Sequence, residues 1–317
     1  MGMLYLLSEG SSARKIGPRI AVEKDGEIVG RLPVRSIDGV VVGRNAQITT
    51  QVIFELLELN IPVVYIDDYG KILGNLCKEK QTAARLLRQL EIFNNTDKQL
   101  TLAKEVVCEK ISNQQNILKQ YAKSKDTEKL GEKLKRLKNQ ADKIISAKTI
   151  DELRGVEGMA SKIYFSAFPE LIDLTRWAWK GRSQHPAADP LNALLNYGYA
   201  FLEREVRIAI ALVSMDARIG FFHSNDGRKD SLVFDLMEFF RQPVIDRFVL
   251  SLVNRKMISP DDFEKSKEDC RLKFDAIKVW CTRYEEYVSK KYREYDDKNT
   301  REVIINRVKS FAECLKR

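Results

Sequence analysis

The chain has 317 residues, and 44% of them are apolar, which indicates a globular protein able to bury a substantial core. Its 54 Lys+Arg exceed its 45 Asp+Glu, and the formal net charge of +9 favours a polyanionic partner, either nucleic acid or an anionic membrane. The longest apolar runs fall far short of the ~20 residues of a bilayer span, so we expect a cytoplasmic protein without a transmembrane helix. Five scattered cysteines without a C-x-x-C pair argue against a disulfide framework and a zinc site.

The first 80 residues carry short apolar runs that are typical of β-strands. The run RIAVEKDGEIVGRLP places Asp25-Gly26 between two apolar segments, which predicts a hairpin with a two-residue turn. Farther along, IDGVVVG and IPVVYID are predicted strands, and ITTQVIFELLELN has the apolar spacing of a helix. The segment YGKILGNLC predicts a turn that leads into another strand.

Beyond KEKQTAARLLRQLEIFNN the apolar period lengthens to ~3.6 residues, which is typical of helices. We therefore predict an α+β fold, with a small β-rich N-terminal domain over residues 1–80 and a larger, mainly α-helical catalytic domain over residues 81–317. Residues 101–150 hold 12 Lys+Arg and 6 Asp+Glu. This excess fits either a solvated helical hairpin with i,i+4 ion pairs or a surface that contacts DNA.

Two carboxylates lie in the apolar segment SLVFDLMEFFR. If the segment is helical, Asp235 and Glu238 project from one face because they are three residues apart. Two unit charges ~4 Å apart repel by about 4 kcal/mol at an effective dielectric constant near 20, so the pair requires a proton, a basic residue or a cation. Local spacing alone favours an acid pair that is salt-bridged to Arg241 and Arg228 over a metal site.

Three further polar residues, His223, His185 and Glu157, are candidates for a functional role. His223 precedes the turn-forming SNDG, which places its ring near a surface or cleft, whereas His185 lies in the polar loop GRSQHPAADP and is interpreted as a surface residue. Neither histidine has the H-x-x-x-H or H-E-x-x-H spacing of zinc hydrolases. In LRGVEGMASKIYF, the glycines flanking Glu157 suggest the start of a helix, where this acid would be favoured by the helix dipole.

Four segments carry a resemblance to a known family: GVEGMASKIYF, DPLNALLNYGYAFLEREV, GFFHSNDGRKDSLVFDLMEFFR and QPVIDRFV. Taken together, they resemble the CRISPR adaptation integrase, the larger of the two proteins that spacer-acquiring CRISPR systems share. The β-rich start and helical remainder also match that family's architecture. The resemblance implies a metal-dependent DNA integrase and endonuclease. Such an enzyme joins the 3′-hydroxyl ends of short foreign double-stranded DNA into a CRISPR repeat by transesterification.

The resemblance also implies the residues of the active site. It assigns metal binding and catalysis to Glu157, His223 and Glu238, and it makes Asp235 a supporting neighbour or an occasional ligand. The implied cofactor is Mg²⁺ or Mn²⁺, since hard oxygens suit both ions and an imidazole suits Mn²⁺. The implied partners are double-stranded DNA, a second copy of the chain in a homodimer and a small CRISPR adaptation protein, with no membrane.

Five further polar residues fall where the family places groups around the cleft: Arg182, Asn192, Asn196, Tyr197 and Arg241. Contact with DNA phosphate and bracing of the ligands are both consistent with these positions. For Asn192 and Asn196, which are four residues apart on a predicted helix, hydrogen bonding within the fold is the alternative. For Tyr197, the alternative to a role at the cleft is packing in the core.

Two other functional classes are also consistent with the sequence. A structure-selective nuclease would use the same metal site to cut branched DNA without integrating it. A non-enzymatic scaffold would bridge DNA with its basic helices, and its acidic cluster would be a structural salt-bridge network.

Overall fold

The computed structural model describes residues 2–67, 72–78, 83–123, 127–183, 186–223, 230–266 and 270–315. Its N-terminal part is rich in strands and contains one helix. In chain order the elements are β1 (Gly2–Leu6), β2 (Ser11–Ile16), β3 (Arg19–Lys24), β4 (Glu27–Pro33), β5 (Ile37–Gly43), β6 (Gln47–Ile48), α1 (Thr50–Glu58), β7 (Val63–Ile66) and β8 (Ile72–Leu76).

These strands form two four-stranded sheets, ordered β4-β3-β2-β6 and β1-β5-β7-β8. In the second sheet, β1, β5 and β7 run parallel, while β8 pairs antiparallel with β7. Both sheets and α1 enclose one apolar cluster, which includes the buried side chains of Leu6, Ile20, Val40 and Leu56. This small core holds the β-rich region together because each sheet turns one apolar face inward.

The predicted hairpin is confirmed. Strands β3 and β4 pair antiparallel, with Lys24 opposite Glu27. Asp25 and Gly26 both have positive φ angles, 52° and 87°. A two-residue turn with two left-handed residues matches the twist of the flanking strands, which is why the Asp-Gly pair marks it in the sequence.

The other local predictions for this region also agree with the structure. The segments IDGVVVG, IPVVYID and KILGNLC contain β5, β7 and β8, and the predicted helix is α1. The turn before β8 lies outside the described residues. So does the boundary predicted between residues 80 and 81, which therefore stays a prediction.

The remainder of the described chain is mainly helical, so the predicted α+β class is confirmed. Its helices are α2 (Ala83–Phe93), α3 (Thr96–Ala122), α4 (Thr127–Ser146), α5 (Ile150–Phe165), α6 (Phe168–Leu171), α7 (Pro190–Leu212), α8 (Ser231–Met237), α9 (Arg247–Asn254), α10 (Phe274–Ser289) and α11 (Thr300–Cys314). A π-helix, Arg241–Asp246, joins α8 to α9. Short strands complete it: β9 (Phe263–Lys265), β10 (Cys270–Leu272), β11 (Lys291–Tyr292) and β12 (Lys298–Asn299).

Helices α3, α4 and α5 pack against one another, and α7 packs against α8 and the π-helix. Most of the basic segment 101–150 therefore lies on two packed helices, α3 and α4, and its contact with DNA stays a prediction. Its apolar stripe and those of the other helices form a second, larger core that includes Tyr164, Phe168, Trp177 and Trp280. No helix in the described part of the chain combines the length and the apolar character required to cross a bilayer.

A buried ionic network joins β1 to the helical region. The guanidinium of Arg301 contacts the carboxylates of Glu205 (3.1 Å) and Glu285 (2.6 Å). Tyr5 on β1 donates its hydroxyl hydrogen to Glu285 at 2.6 Å and accepts a hydrogen bond from Arg204 at 2.8 Å. Two arginines and two glutamates balance in charge, which makes their burial tolerable.

Candidate active site

The structure brings together the three side chains for which metal binding is predicted. Glu157 lies on α5, His223 stands in the loop that follows α7, and Glu238 directly follows α8. Nε2 of His223 is 4.0 Å from Oε1 of Glu238. Glu157 and Glu238 both contact the ammonium group of Lys110 on α3. Residues far apart in sequence therefore form one cluster where α3, α5 and α8 meet.

Lys110 was not predicted from the sequence. Its side chain is only 8% exposed, and its Nζ lies 2.6 Å from Oε2 of Glu238 and also contacts Oε1 of Glu157. On α3 it occupies the same stripe as the buried Val106, Val107 and Ile111. A lysine on the apolar stripe of a helix is the signal that would have found it, because a buried lysine requires a partner.

The charges around Glu238 hold this carboxylate in its ionised form. Burial raises its pKa, but Arg241, Lys110 and His223 lower it more, to about 2. Nε of Arg241 donates to Oε1 of Glu238 at 2.9 Å, so the proposed salt bridge of the acid to Arg241 is present. For Lys110, burial lowers the pKa, but the charges of Glu238 and Glu157 raise it by more. The net shift is upward, so the ammonium stays protonated. Arg228, the other proposed partner, lies outside the described residues, as does His185.

Asp235 is fully buried and organises the loop that carries His223. Its Oδ2 accepts hydrogen bonds from the amides of Phe221 (2.6 Å) and Phe222 (3.0 Å). Its Oδ1 accepts the amide hydrogen of His223 at 2.8 Å and lies 2.7 Å from Nδ1 of the ring. A proton on Nδ1 satisfies this contact and leaves Nε2, on the Glu238 side, as the free nitrogen.

The predicted helix start at Glu157 is wrong. Helix α5 begins at Ile150, where Thr149 is the N-cap and accepts the amide hydrogen of Glu152 at 3.2 Å. The carboxylate of Glu152 in turn accepts from the amide of Lys148 at 2.7 Å. This cap outweighs the glycines, which the helix accommodates in its interior. Glu157 is therefore a mid-helix residue, and Ser161, one turn later, donates to its Oε1 at 2.8 Å.

The donor set of the cluster suits Mg²⁺ or Mn²⁺. Two carboxylates and one imidazole nitrogen provide hard oxygen ligands and a nitrogen that Mn²⁺ accepts, with open positions for other ligands. Among the described residues, no three His, Cys, Asp or Glu side chains are already grouped as a metal site. The two acids instead face the ammonium of Lys110. Glu157, Glu238 and His223 are thus the residues that would hold a divalent ion.

The polar residues predicted around the cleft make contacts within the fold. Arg182 donates to Oδ1 of Asn192 at 2.9 Å and to Oδ1 of Asn196 at 2.6 Å. Nδ2 of Asn192 donates to the carbonyl of Gly181 at 2.9 Å and to Asp189 at 2.7 Å. These bonds favour the internal role for both asparagines, which fix the 181–183 segment on the first turns of α7.

Tyr197 and Arg241 also have internal partners. The ring of Tyr197 packs against Phe201 and Trp280, with ring centroids 5.1 and 5.4 Å apart, which favours its alternative as a core residue. Arg241 lies over the ring of Tyr199 at 4.7 Å while it donates to Glu238. Its contact with DNA stays a prediction.

The π-helix adds a further buried carboxyl group, that of Asp246, beside this cluster. Tyr199 donates its hydroxyl hydrogen to Oδ1 of Asp246 at 2.6 Å. The guanidinium of Arg182 lies 5.4 Å from the Tyr199 ring centroid, on which Arg241 also stacks. Burial raises the pKa of Asp246 to about 6, although the bond from Tyr199 and the charge of Arg182 oppose the shift.

The raised pKa of Asp246 makes stability depend on pH. The folded protein binds this proton with a pKa of about 6, and the unfolded chain with one near ~4, so the stabilising contribution is complete below pH ~4 and is lost as pH rises through about 6. We expect the unfolding free energy of wild type, relative to Asp246→Asn, to fall by about 2 to 3 kcal/mol from pH 4 to pH 7. Urea denaturation at several pH values measures this difference, and parallel pH profiles would contradict it.

Comparison with known proteins gives the relationship of the whole chain. Residues 4–286 match the family model described as CRISPR associated protein Cas1. An Archaeoglobus fulgidus protein named CRISPR-associated endonuclease Cas1 1 is 33% identical over 278 residues, which are 82% of this chain and 80% of the relative. A Rhodospirillum rubrum protein named CRISPR-associated endonuclease Cas1 2 is 29% identical over 84% of this chain and 79% of its own length.

Solved structures agree with the sequence relationship. A Cas1 protein from Thermotoga maritima has a TM-score of 0.83 at 23% identity and covers 99% of this chain and 97% of its own, which shows a shared fold. A casposase bound to an integration product has a TM-score of 0.84 at 25% identity, covering 99% of this chain and 90% of its own. From the family match and these relatives, the chain belongs to the CRISPR-associated Cas1 family.

Proposed function

We propose that this protein is a metal-dependent DNA integrase and endonuclease of CRISPR adaptation. It joins the 3′-hydroxyl ends of short foreign double-stranded DNA into a CRISPR repeat by transesterification. The observation that carries this proposal is the convergence of Glu157, His223 and Glu238 on one site in a chain whose relatives are named endonucleases. The structural likeness to a casposase bound to an integration product supports the joining reaction.

Transesterification requires no protein nucleophile, since the attacking group is the DNA 3′-hydroxyl. A bound Mg²⁺ or Mn²⁺ supplies polarisation of the scissile phosphate and stabilisation of the leaving oxygen. Asp235 holds the imidazole of His223 through Nδ1, which leaves Nε2, on the Glu238 side, available as a ligand. Arg241 keeps Glu238 ionised and oriented through the 2.9 Å contact.

We further propose that the protein works as a homodimer with a small CRISPR adaptation protein. The net charge of +9 favours a DNA partner. Strand β4 is the outer strand of its sheet and exposes Val29, which is 65% accessible, beside Ile28. An exposed apolar edge strand is suited to pairing with a second copy. A structural neighbour of this chain, 22% identical, was solved in a complex described as Cas6-RT-Cas1–Cas2.

The test is a joining assay with a repeat-bearing plasmid, the small partner and short duplex DNA that ends in either a 3′-hydroxyl or a 3′-dideoxy group. We expect joined product only with the 3′-hydroxyl and with Mg²⁺ or Mn²⁺. Glu157→Gln should reduce joining by at least about 10²-fold, because a ligand of the catalytic ion is lost. Asp142→Asn, which changes an exposed acid on the neighbouring helix α4, is the control. Undiminished joining by Glu157→Gln would exclude the proposed site.

The relatives' endonuclease names also support a second candidate, a nuclease that cuts branched DNA without joining it. The same assay separates the two, because hydrolysed product without joined product, even with the small partner present, identifies the nuclease. The ion pairs of Lys110 with both acids would suit a scaffold without metal. A scaffold of this kind would show no Mn²⁺ affinity at the cluster, and its DNA binding would depend steeply on salt.

A further inference from the structure

Lys110 lies where the two acidic ligands of the proposed site meet. Its Nζ contacts Oε1 of Glu157 and lies 2.6 Å from Oε2 of Glu238, and its side chain is 8% exposed. Arg241 provides the second positive charge beside Glu238. A buried lysine with two carboxylate partners compensates charges that would otherwise repel each other in a poorly solvated place. The cluster is therefore held together by a cation that belongs to the chain.

Lys110 contacts both of the carboxylates that are proposed to bind a divalent ion. Mg²⁺ takes oxygen ligands at ~2.0–2.1 Å, inside the space that an ammonium group occupies when it contacts the same two carboxylates. The positive charges of the two cations also repel each other. An ion that bridges Glu157 and Glu238 and the present ion pairs of Lys110 consequently exclude each other.

An alternative acceptor for the ammonium lies one helical turn farther along α3. Gln114 is fully buried, and its Oε1 has no hydrogen-bond partner among the residues that the structure describes. Its Nε2 donates weakly to Ser161 at 3.4 Å, and Ser161 donates to Glu157, so Gln114 borders the same cluster. Side chains four residues apart on a helix are neighbours, and the lysine stem is flexible. A buried acceptor without a donor gains from the approach of an ammonium.

We propose that Lys110 is an internal cation that exchanges with the divalent metal ion. In the metal-free protein it holds Glu157 and Glu238 together, and on metal binding it withdraws toward Gln114. This inference rests on the proposed function in one respect, since it takes the two glutamates as metal ligands. The acids are thereby assembled before any ion arrives, and the metal affinity is set by competition with the lysine as well as by the ligands.

The test is Mn²⁺ binding to the full chain, measured without DNA by the electron paramagnetic resonance signal of free Mn²⁺. Lys110→Met removes the competing charge and should tighten binding by about tenfold. Lys119→Met, which removes an exposed lysine from the same helix, should change the affinity less than about twofold. Unchanged or weaker binding by Lys110→Met, relative to wild type, overturns the proposal.

Gln114→Leu provides a second test that does not depend on the folding of Lys110→Met. Without the alternative acceptor the lysine leaves the acids less readily, so Mn²⁺ binding should weaken by about fivefold. In the Lys110→Met background the same substitution should have no effect, because no ammonium requires the acceptor. Unchanged affinity in Gln114→Leu, or an equal loss in both backgrounds, overturns the exchange.

The readout separates this inference from the proposed function. If the variants rank as expected in Mn²⁺ affinity and the wild-type protein joins no DNA, the exchange stands and the integrase proposal fails. If joining requires metal and Glu157 while Lys110→Met binds Mn²⁺ no more tightly, the integrase proposal stands and the exchange fails. Absence of Mn²⁺ binding in wild type and all variants overturns both.

Discussion

Glu238→Gln is expected to abolish strand joining and to destabilise the fold. Glu238 is a proposed metal ligand, and the loss of its charge should remove several kcal/mol of stabilisation from the transition state, so joining should fall by about 10³-fold. The substitution also leaves Lys110 and Arg241 without the carboxylate that both contact. Because these cations are buried, the unfolding free energy should fall by about 3 kcal/mol. The joining assay and urea denaturation measure the two effects.

Glu286→Gln is the matched control for this variant. Glu286 pairs with Arg283 three residues before it, as Glu238 pairs with Arg241 three residues after it, but both members of the control pair are about half exposed. Water already solvates such a pair, so its loss should cost less than about 1 kcal/mol and leave joining unchanged. Equal destabilisation by the two variants would show that burial of Glu238 is not what makes its charge matter.

Glu205→Leu is expected to be the most destabilising single change in the interface between β1 and the helices. The carboxylate of Glu205 lies 3.1 Å from Arg301 and 3.3 Å from Arg204, and all three side chains are almost fully buried. Its removal leaves two guanidinium groups with a single remaining acid, Glu285. We expect the unfolding free energy, measured in urea, to fall by about 3 to 5 kcal/mol.

Two further variants identify the cause of that loss. Glu203→Gln removes a partly exposed acid from the same helix, where it pairs with Arg207, and should cost less than about 1 kcal/mol. The double variant Glu205→Leu/Arg301→Met removes one uncompensated cation together with the acid and should recover part of the stability. The charge explanation would be contradicted if the double variant lost more unfolding free energy than the two single variants lose together.

Local signals in the sequence predicted much of the fold. Asp25-Gly26 specified its hairpin because a two-residue turn needs residues that tolerate positive φ, and this requirement does not depend on the rest of the chain. The glycines around Glu157 indicate a helix start that the structure does not have, because the N-cap of α5 is Thr149. A capping pattern was present in the sequence at that point and outweighs helix-interior glycines.

The site depended on information that no local pattern contains. Spacing alone paired Glu238 with Arg241, which the structure confirms. Only the family resemblance assigned Glu157 to the site, since nothing within its own segment predicts contact with a cluster that includes Glu238, 81 residues away in the chain. Neither residue spacing nor the family resemblance identified Lys110. Its partners come from α5 and the end of α8, so its role depends on the packing of three helices. Side chains that act through tertiary contacts are the ones that a single sequence conceals.

The two ends of the π-helix, Arg241 and Asp246, make contacts that fix the number of residues in this segment. Its wide turn lets Arg241 and Asp246, five positions apart, both reach Tyr199, one by stacking on the ring and the other through the hydroxyl. Loss of one residue from this segment would restore ordinary helical phase and rotate one of the two away by about 100°. Insertions and deletions here therefore carry a cost that substitutions do not, and the length of this segment is itself part of what keeps Glu238 in place.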